Sequence, residues 1–363
     1  MLDADSRSLP PSRAASRVRR RVATARVAGD TLVYQKIDST LRGNVGAECA
    51  ALLAGLDRRL AVVAPAFPAN RRTTVAGVQL VDGVPVHETA AARDPAHPMH
   101  AESVAAALRS GADLPSVGVG LTAVRGPDPA AILRSFADTH RRAFAVVDAE
   151  TDADLTAIAR AVLSLGDRAL PVGSAGLAAQ LARLTSLLPL GEGPGEGATP
   201  ARPSFPRSLR PLLVIGTVNP ATHAQVDAVA QVTARQDPFA HSAAARAAEQ
   251  LAGGPALLVT PSRRLDVPSV EVARRFARAV VRVVDRTPPD GLVLTGGDTA
   301  RAVLTALGAR AIDLVDEVLP GMPVGLAVGG RLDGRPVVTK AGGFGPPDAL
   351  AVALRFLQAG GTP

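Results

Sequence analysis

Short apolar runs alternate with helix-period segments along most of the chain, and this alternation limits the fold more than any other feature. "TLVYQKI", "LAVVAP", "AFAVVDA" and "ALPVGS" are strand-sized, whereas "VGAECAALLAGL", "DADLTAIARAVLSL" and "AGLAAQLARL" carry the apolar spacing of helices. Strands that are apolar throughout must be covered on both faces, so the pattern predicts an α/β sheet between helices. One hairpin interrupts it, "VQLVDGVPVHET", with Asp82-Gly83 as its two-residue turn. From Leu190 to Pro211 the segment "LGEGPGEGATPARPSFPRSLRP" has no apolar period and cannot continue a helix or a strand. The alternation then resumes with "PLLVIGT", "PALLVT", "GLVLTGG", "PVGLAVGG" and "RPVVTK". A chain of 363 residues has room for about two domains of roughly 150 residues each. The expected architecture is α/β in two domains, each a mostly parallel sheet flanked by helices: residues 1–189, a linker over 190–211, and residues 212–363.

Composition removes several function classes. A hydrophobic share of 47% and a mean hydropathy of +0.18 suffice for real cores, but the apolar runs fall far short of the ~20 residues that a bilayer demands. No membrane partner is expected. The start, "MLDADSRSLPP", lacks a basic stretch followed by an apolar one, and the lone Cys49 sits in an Ala/Leu-rich helix pattern that suits a buried small residue better than a nucleophile. These features predict a cytoplasmic setting. A net charge of +7 raises the question of nucleic acid, because clustered arginines neutralise phosphates. Apart from "RVRRR" at Arg17 to Arg21, however, the arginines are scattered, and with Trp 0, Tyr 1 and Phe 8 there is little to stack on bases. No nucleic-acid partner is expected either.

The excess of Ala, Arg, Gly and Pro looks like a GC-rich coding bias, which makes the depleted residues informative. Lys36 and Lys340 are the two lysines among 40 Lys plus Arg residues, and Tyr34, Asn44, Asn70 and Asn219 are the sole tyrosine and the three asparagines. All fall in or beside loops that follow apolar runs, where ligands are usually met.

In the second half, "VIGTVNPATHAQ", "VLTGGDTARAVL" and "VVTKAGGFGPPDAL" share one design: a buried strand, a loop of small or hydroxyl residues, then a helix start. Free backbone N–H groups and the helix dipole make such starts phosphate sites, and glycines let the backbone approach closely. Gly296 and Gly297 leave the second loop bare, with Asp298 or Thr299 as its cap. Gly342 and Gly343 do the same in the third beside Lys340, a point charge within reach of a phosphate or a packed strand end, with Pro346-Pro347 in the first helical turn. One such loop is an ordinary turn; three in one domain predict a nucleotide with several phosphates. Neither G-x-x-x-x-G-K-[ST] nor a strand-following G-x-G-x-x-G occurs, so neither a Walker-type ATPase nor a Rossmann dehydrogenase is indicated. "HPMH" at His97 to His100 has no partner at zinc spacing and reads as a solvated loop.

In the first half, "QKIDSTLRGNVGAE" also follows a strand and opens a helix, with different side chains. Lys36 and Arg42 are cations, Ser39, Thr40 and Asn44 are neutral hydrogen-bonding groups, and Asp38 is an acceptor and candidate catalytic base. The set suits a small anionic polyhydroxylated molecule, cations on its carboxylate and the rest on hydroxyls. The alternative is plainer: Asp38 or Ser39 caps the helix. "APAFPANRRTT" adds Asn70, Arg71, Arg72, Thr73 and Thr74 in a second polar loop.

Taken together, "KIDSTLRGNVGAE", "APAFPANRRTTVAGVQLVDGVPVHET", "PVGSAGLAAQLA", "LTGGDTARAVL", "EVLPGMPVG" and "TKAGGFGPPDAL" resemble the four-carbon acid sugar kinases, in the family's order, from about Asp3 to Leu357. The resemblance implies a sugar-acid-binding N-terminal domain, a nucleotide-binding C-terminal domain, and ATP-dependent phosphorylation of threonate, erythronate or 3-oxo-tetronate. It places Lys36, Asp38, Ser39, Thr40, Leu41, Arg42 and Gly43 on the acid sugar, with Ser6 and Arg7 from the Asp-Ser-Arg motif. It places Gly296, Gly297, Asp298, Thr299 and Gly342 on ATP, with Mg²⁺ expected between the phosphates and no residue assigned to it. Thr217 stands where the family tends to have Ser and keeps the hydroxyl. Family members also carry an earlier Ala-Asp-Asp-x-Thr-Gly unit, so this chain is expected to lack an Asp of the substrate site. The alternative function is therefore a non-catalytic relative that binds ATP or a sugar acid. A homodimer is a further expectation.

Overall fold

The computed structural model describes residues 4–24, 32–89, 91–92, 98–186, 205–229, 235–236, 240, 242–261 and 267–361. They fall into two compact units, Met1–Gly193 and Pro194–Pro363.

The N-terminal unit contains, in order, α1 (Pro11–Thr24), β1 (Gln35–Lys36), α2 (Val45–Gly55), β2 (Leu60–Ala64), β3 (Arg72–Val75), β4 (Val78–Val81), β5 (Val84–Pro85), α3 (Val104–Arg109), β6 (Ser116–Val119), α4 (Leu121–Val124), α5 (Ala130–Thr139), β7 (Ala143–Val147), α6 (Asp152–Leu165), β8 (Ala169–Gly173) and α7 (Ala175–Ser186). Its main sheet has the order β1-β8-β2-β7-β6, every neighbour parallel. Alternate residues of each strand enter different cores. Leu60, Val62 and Ala64 pack with α5, α6 and α7, while Ala61 and Val63 pack with α2 and α3. Both faces are buried, which is why these strands read as unbroken apolar runs.

A separate antiparallel sheet, β3-β4-β5, carries two tight hairpins. Asp82 (φ 54°) and Gly83 (φ 79°) make the expected turn, and Ala76 (φ 50°) and Gly77 (φ 72°) make a second one. Positive φ at both central residues matches the twist of the flanking strands. Arg72, Thr73 and Thr74, expected in a loop, form β3 instead. The run "TLVYQKI" pairs over Gln35–Lys36; Thr31 lies outside the described residues. Cys49 is fully buried in α2, and burial pushes its thiol pKa up, as a small core residue requires. His97 lies outside the described residues, while Met99 beside it is buried.

The C-terminal unit runs β9 (Pro211–Ile215), α8 (Pro220–Asp227), β10 (Arg235–Gln236), α9 (Ala243–Gly253), β11 (Ala256–Val259), α10 (Ser269–Arg286), β12 (Gly291–Thr295), α11 (Gly297–Ala306), β13 (Ala311–Leu319), β14 (Met322–Val328), β15 (Pro336–Lys340) and α12 (Ala349–Gln358). The sheet order is β10-β11-β9-β12-β15-β14-β13, parallel through β15 and antiparallel for the last two strands. Leu212, Val214, Leu292 and Leu294 pack toward α9, α10 and α11; Leu213, Ile215 and Val293 pack toward α12. β13 has no counterpart in the sequence reading because Asp313, Asp316 and Glu317 make it look polar. An edge strand tolerates such charges, and they guard its open side. Part of the predicted linker belongs to this unit. Phe205 and Leu209 are buried, and the Phe205 and Ser208 amides donate to Gly360 (2.9 Å) and Gln358 (2.8 Å); residues 190–204 lie outside the described residues.

No described helix is long and apolar enough to cross a membrane.

Candidate functional site

Because β1, β8 and β2 are parallel, the loops after them share one edge of the N-terminal sheet, the usual place for a ligand in such folds. The loop after β1 is tied down by the Ile37 amide donating to Gly173 O (2.8 Å) and turned by the Leu41 amide donating to Asp38 O (2.9 Å). α2 begins only at Val45, so neither Asp38 nor Ser39 caps it. Leu41 adopts a left-handed backbone (φ 60°) and buries its side chain in the core, which leaves its backbone alone to meet a ligand.

Asp38 is the hub of this loop. Its Oδ1 accepts from the Thr40 amide (3.0 Å) and hydroxyl (3.1 Å), and its Oδ2 accepts from Arg42 Nε (2.7 Å) and faces Arg7 Nη2 at 3.7 Å. Burial pushes the carboxyl pKa up, but Arg42, the Thr40 amide and Arg7 outweigh it and hold it below the usual range. This argues against the sequence-based choice of Asp38 as base: a carboxylate with both oxygens occupied and its pKa depressed takes a proton poorly near neutral pH. Its field also reaches Lys36 and Arg72. Crowding by protein lowers the Lys36 pKa, with Asp38 opposing and Arg7 adding to the fall, although the side chain reaches solvent. Burial lowers Arg72, with Asp82 and Asp38 opposing. Arg7 and Arg42 face the buried Asp38, and Lys36 and Arg72 lie within its field. Although Asp82 also faces Arg72 and Glu48 faces Arg7, the cations outnumber the carboxylates and leave positive charge for an anion.

The Asp-Ser-Arg segment is held against this loop. Ser6 Oγ donates to Glu48 Oε1 (2.6 Å), and Asn44 Nδ2 donates to the carbonyls of Ser6 (2.9 Å) and Leu9 (2.8 Å). Gly43 (φ 103°) lets Arg7 lie close, its Cγ 3.4 Å from where a Cβ would stand. Lys36 Nζ donates to Ile37 O (2.9 Å). Ser6, Arg7, Asp38, Thr40, Arg42, Gly43 and Asn44 are thus directly joined. Glu48, whose pKa burial raises against hydrogen bonds from Ser6 and Gln35, is not marked by the sequence motifs; its place one helical turn after Asn44 is the signal that could have found it.

In the C-terminal unit the three glycine-bearing loops follow β9, β12 and β15, which are adjacent strands. Their backbones nearly touch. A Cβ on Gly216 would overlap the Thr299 hydroxyl, and one on Gly342 would lie 2.7 Å from Thr217 Oγ1. One on Gly343 would lie 2.9 Å from Asn219 Nδ2, and Gly296 approaches Gly216 and Thr217. Thr217, Gly296, Thr299, Gly342 and Gly343 therefore meet, with Gly297 and Asp298 exposed in the first turn of α11. Gly296 (φ 95°) is the N-cap residue, so Asp298 and Thr299 lie inside the helix and cap nothing. Pro346 and Pro347 precede α12, with Asp348 at its N-cap. Asn219 caps α8, accepting from the Ala221 amide (2.9 Å), and Gln225 Nε2 holds the carbonyls of Phe344, Gly345 and Pro346 (3.0, 3.1 and 2.9 Å). Lys340 is 3% exposed, its Nζ donating to Ala341 O (3.1 Å) and Thr222 Oγ1 (3.4 Å), and burial pushes its pKa down to about 8.

Comparison with known proteins matches residues 1–181 to a sugar-binding N-terminal domain and residues 212–350 to a nucleotide-binding C-terminal domain. A D-threonate kinase of Bordetella bronchiseptica is 39% identical, over 97% of this chain and 84% of that protein. The chain belongs to the four-carbon acid sugar kinase family. A 3-oxo-tetronate kinase of Methylobacterium radiotolerans is 30% identical over 97% of this chain and 87% of its own length. A solved Salmonella typhimurium LT2 protein superposes with a TM-score of 0.75 at 21% identity, covering 96% of this chain and 87% of that one, and supports the two-unit α/β fold. The chain is thus a kinase of this family, with the cation-rich loop in its sugar-binding part and the glycine loops in its nucleotide-binding part.

Proposed function

We propose that this kinase transfers the γ-phosphoryl group of ATP to a hydroxyl of a four-carbon sugar acid, of the threonate, erythronate or 3-oxo-tetronate class. The observation that carries the reading is the Asp38 hub: Arg7 and Arg42 face a single buried carboxylate beside Thr40, and Lys36 and Arg72 lie within its field, in the sugar-binding part of the family. That excess charge suits the substrate carboxylate, and the neighbouring hydroxyls and amides suit its hydroxyls.

Phosphoryl transfer is chiefly positioning and charge neutralisation. Arg7, Arg42 and Lys36 fix the acid end of the substrate, and Asp38 keeps the two arginines oriented. In the C-terminal unit the bare backbone at Gly296, Gly297, Gly342 and Gly343 fits phosphates, Thr217 and Thr299 supply hydroxyls, and Lys340 supplies buried positive charge. Mg²⁺ arriving with ATP would add neutralisation. Among the described residues no three His, Cys, Asp or Glu side chains cluster as a metal site. Asp298, exposed in the first turn of α11, is a carboxylate within the phosphate loops, as is Asp348 at the N-cap of α12.

Calorimetric titration tests the acid site. The three C4 acids should include one that binds at least about tenfold more tightly than erythritol, the uncharged C4 polyol, as expected for a charge-assisted contact. Equal binding of acid and polyol would overturn the reading.

A further inference from the structure

We propose that Gln79 is a positioning residue for the acid-binding loop, setting the place of Ser39 from the antiparallel sheet. This inference rests on the reading of residues 36–44 as the acid site.

Gln79 lies on β4, is 2% exposed, and uses both ends of its amide. Nε2 donates to Ser39 O (2.9 Å), and Oε1 accepts from Thr74 Oγ1 (2.7 Å). A carbonyl can only be met by the NH₂ end, so the orientation of the amide is determined. Thr74 is itself fully buried and joined to the end of β7 by two backbone bonds, its amide to Ala149 O (2.8 Å) and the Ala149 amide to Thr74 O (3.0 Å). Asp148, next along, accepts from the Ala76 and Gly77 amides (2.7 and 2.9 Å) and so locks the β3–β4 turn. A continuous hydrogen-bonded strut therefore runs from the main sheet through Thr74 and Gln79 to Ser39, the residue between Asp38 and Thr40. Among the described residues the buried Ser39 hydroxyl has no hydrogen-bond partner, so its direction depends on how its backbone is held. An apolar side chain of similar length at position 79 would leave two buried groups unsatisfied and let the loop drift, whereas a neutral carboxyl could replace both bonds.

The test uses the full chain with Gln79→Met and Gln79→Glu. Hydrogen exchange of residues 36–44 should accelerate in Gln79→Met while that of β2 and β7 does not. KM for the C4 acid should rise about tenfold, the scale of a buried polar partner lost, with KM for ATP unchanged. Gln79→Glu should behave like Gln79→Met near pH 8 and approach the parent chain toward about pH 6, because burial raises a carboxyl pKa and its neutral form can donate to Ser39. Unchanged exchange in 36–44 overturns the proposal. Faster exchange with an unchanged acid KM also overturns it, leaving Gln79 a strut of the fold alone while the acid-site reading stands. A parent chain that binds no C4 acid defeats both, and the exchange data then show separately whether the strut exists.

Discussion

Replacing Asp38 by Asn removes the charge at the hub while keeping its size. The Asn carbonyl can still accept from the Thr40 amide and hydroxyl, but its NH₂ would face Arg42 Nε, a donor, across the 2.7 Å now spanned by an ion-paired hydrogen bond. The Asp38 side chain is 9% exposed, so water cannot fully compensate. A charge-assisted bond of this kind contributes about 1.5–3 kcal/mol. Arg7, 3.7 Å away and half exposed, adds less than about 1 kcal/mol. The expected loss is about 1.5–4 kcal/mol from the N-terminal unit. Tyr34 is the sole tyrosine and there is no tryptophan, so tyrosine fluorescence during urea unfolding reports on that unit alone. The sign with pH follows from the lowered pKa: the stabilisation is complete above the unfolded carboxyl value of about 3.9 and is lost as pH falls through the lower folded value. The parent chain should therefore lose stability in that acidic range more steeply than Asp38→Asn. In kinetics the variant should raise KM for the acid and leave ATP affinity alone. A stability change under about 0.5 kcal/mol, within the range of an ordinary surface substitution, or a collapse of kcat with KM and stability preserved, would refute the hub and restore Asp38 as a base.

Other consequences follow from the C-terminal unit. Lys340, with its pKa lowered to about 8, is protonated in the unfolded chain up to about pH 10.4. Below pH 8 the buried ammonium costs stability, which should recover as pH rises from about 8 toward 10.4; calorimetry of the parent against Lys340→Met, which should lack the effect, checks this. If the ammonium serves the phosphates, affinity for ATP should fall between about pH 7.5 and 9.5 in the parent and not in Lys340→Met; a flat parent profile would exclude the role. Gly342→Ala, whose Cβ would press on Thr217 Oγ1 at 2.7 Å, should weaken ATP binding at least about tenfold through lost close approach, as read by titration, while far-UV circular dichroism of the full chain stays unchanged.

Strands covered on both faces were readable because their apolar runs contain no polar alternation, as in Leu60 to Ala64 and Pro211 to Ile215. β13 was not, since an edge strand carrying Asp313, Asp316 and Glu317 differs little from a loop in composition. The loops of the candidate site were legible because rare residues and glycines gather there. Roles within them were less so: the sequence offers Asp38 as an acceptor, and the contacts from Arg7 and Arg42 that depress its pKa arise from a segment 31 residues upstream and a turn four residues downstream. Gln79 lay hidden for a similar reason. Its partners Thr74 and Ser39 come from a hairpin and a distant loop, and nothing in local spacing marks an amide that uses both ends.

The most direct measurement is phosphorus NMR of the full chain with ATP, Mg²⁺ and each of D-threonate, D-erythronate and 3-oxo-tetronate in turn. The account predicts a new phosphomonoester resonance with stoichiometric ADP for at least one acid, and none with erythritol. ATP binding with no phosphomonoester from any of the three acids would contradict it and leave a chain that holds its ligands without transferring between them.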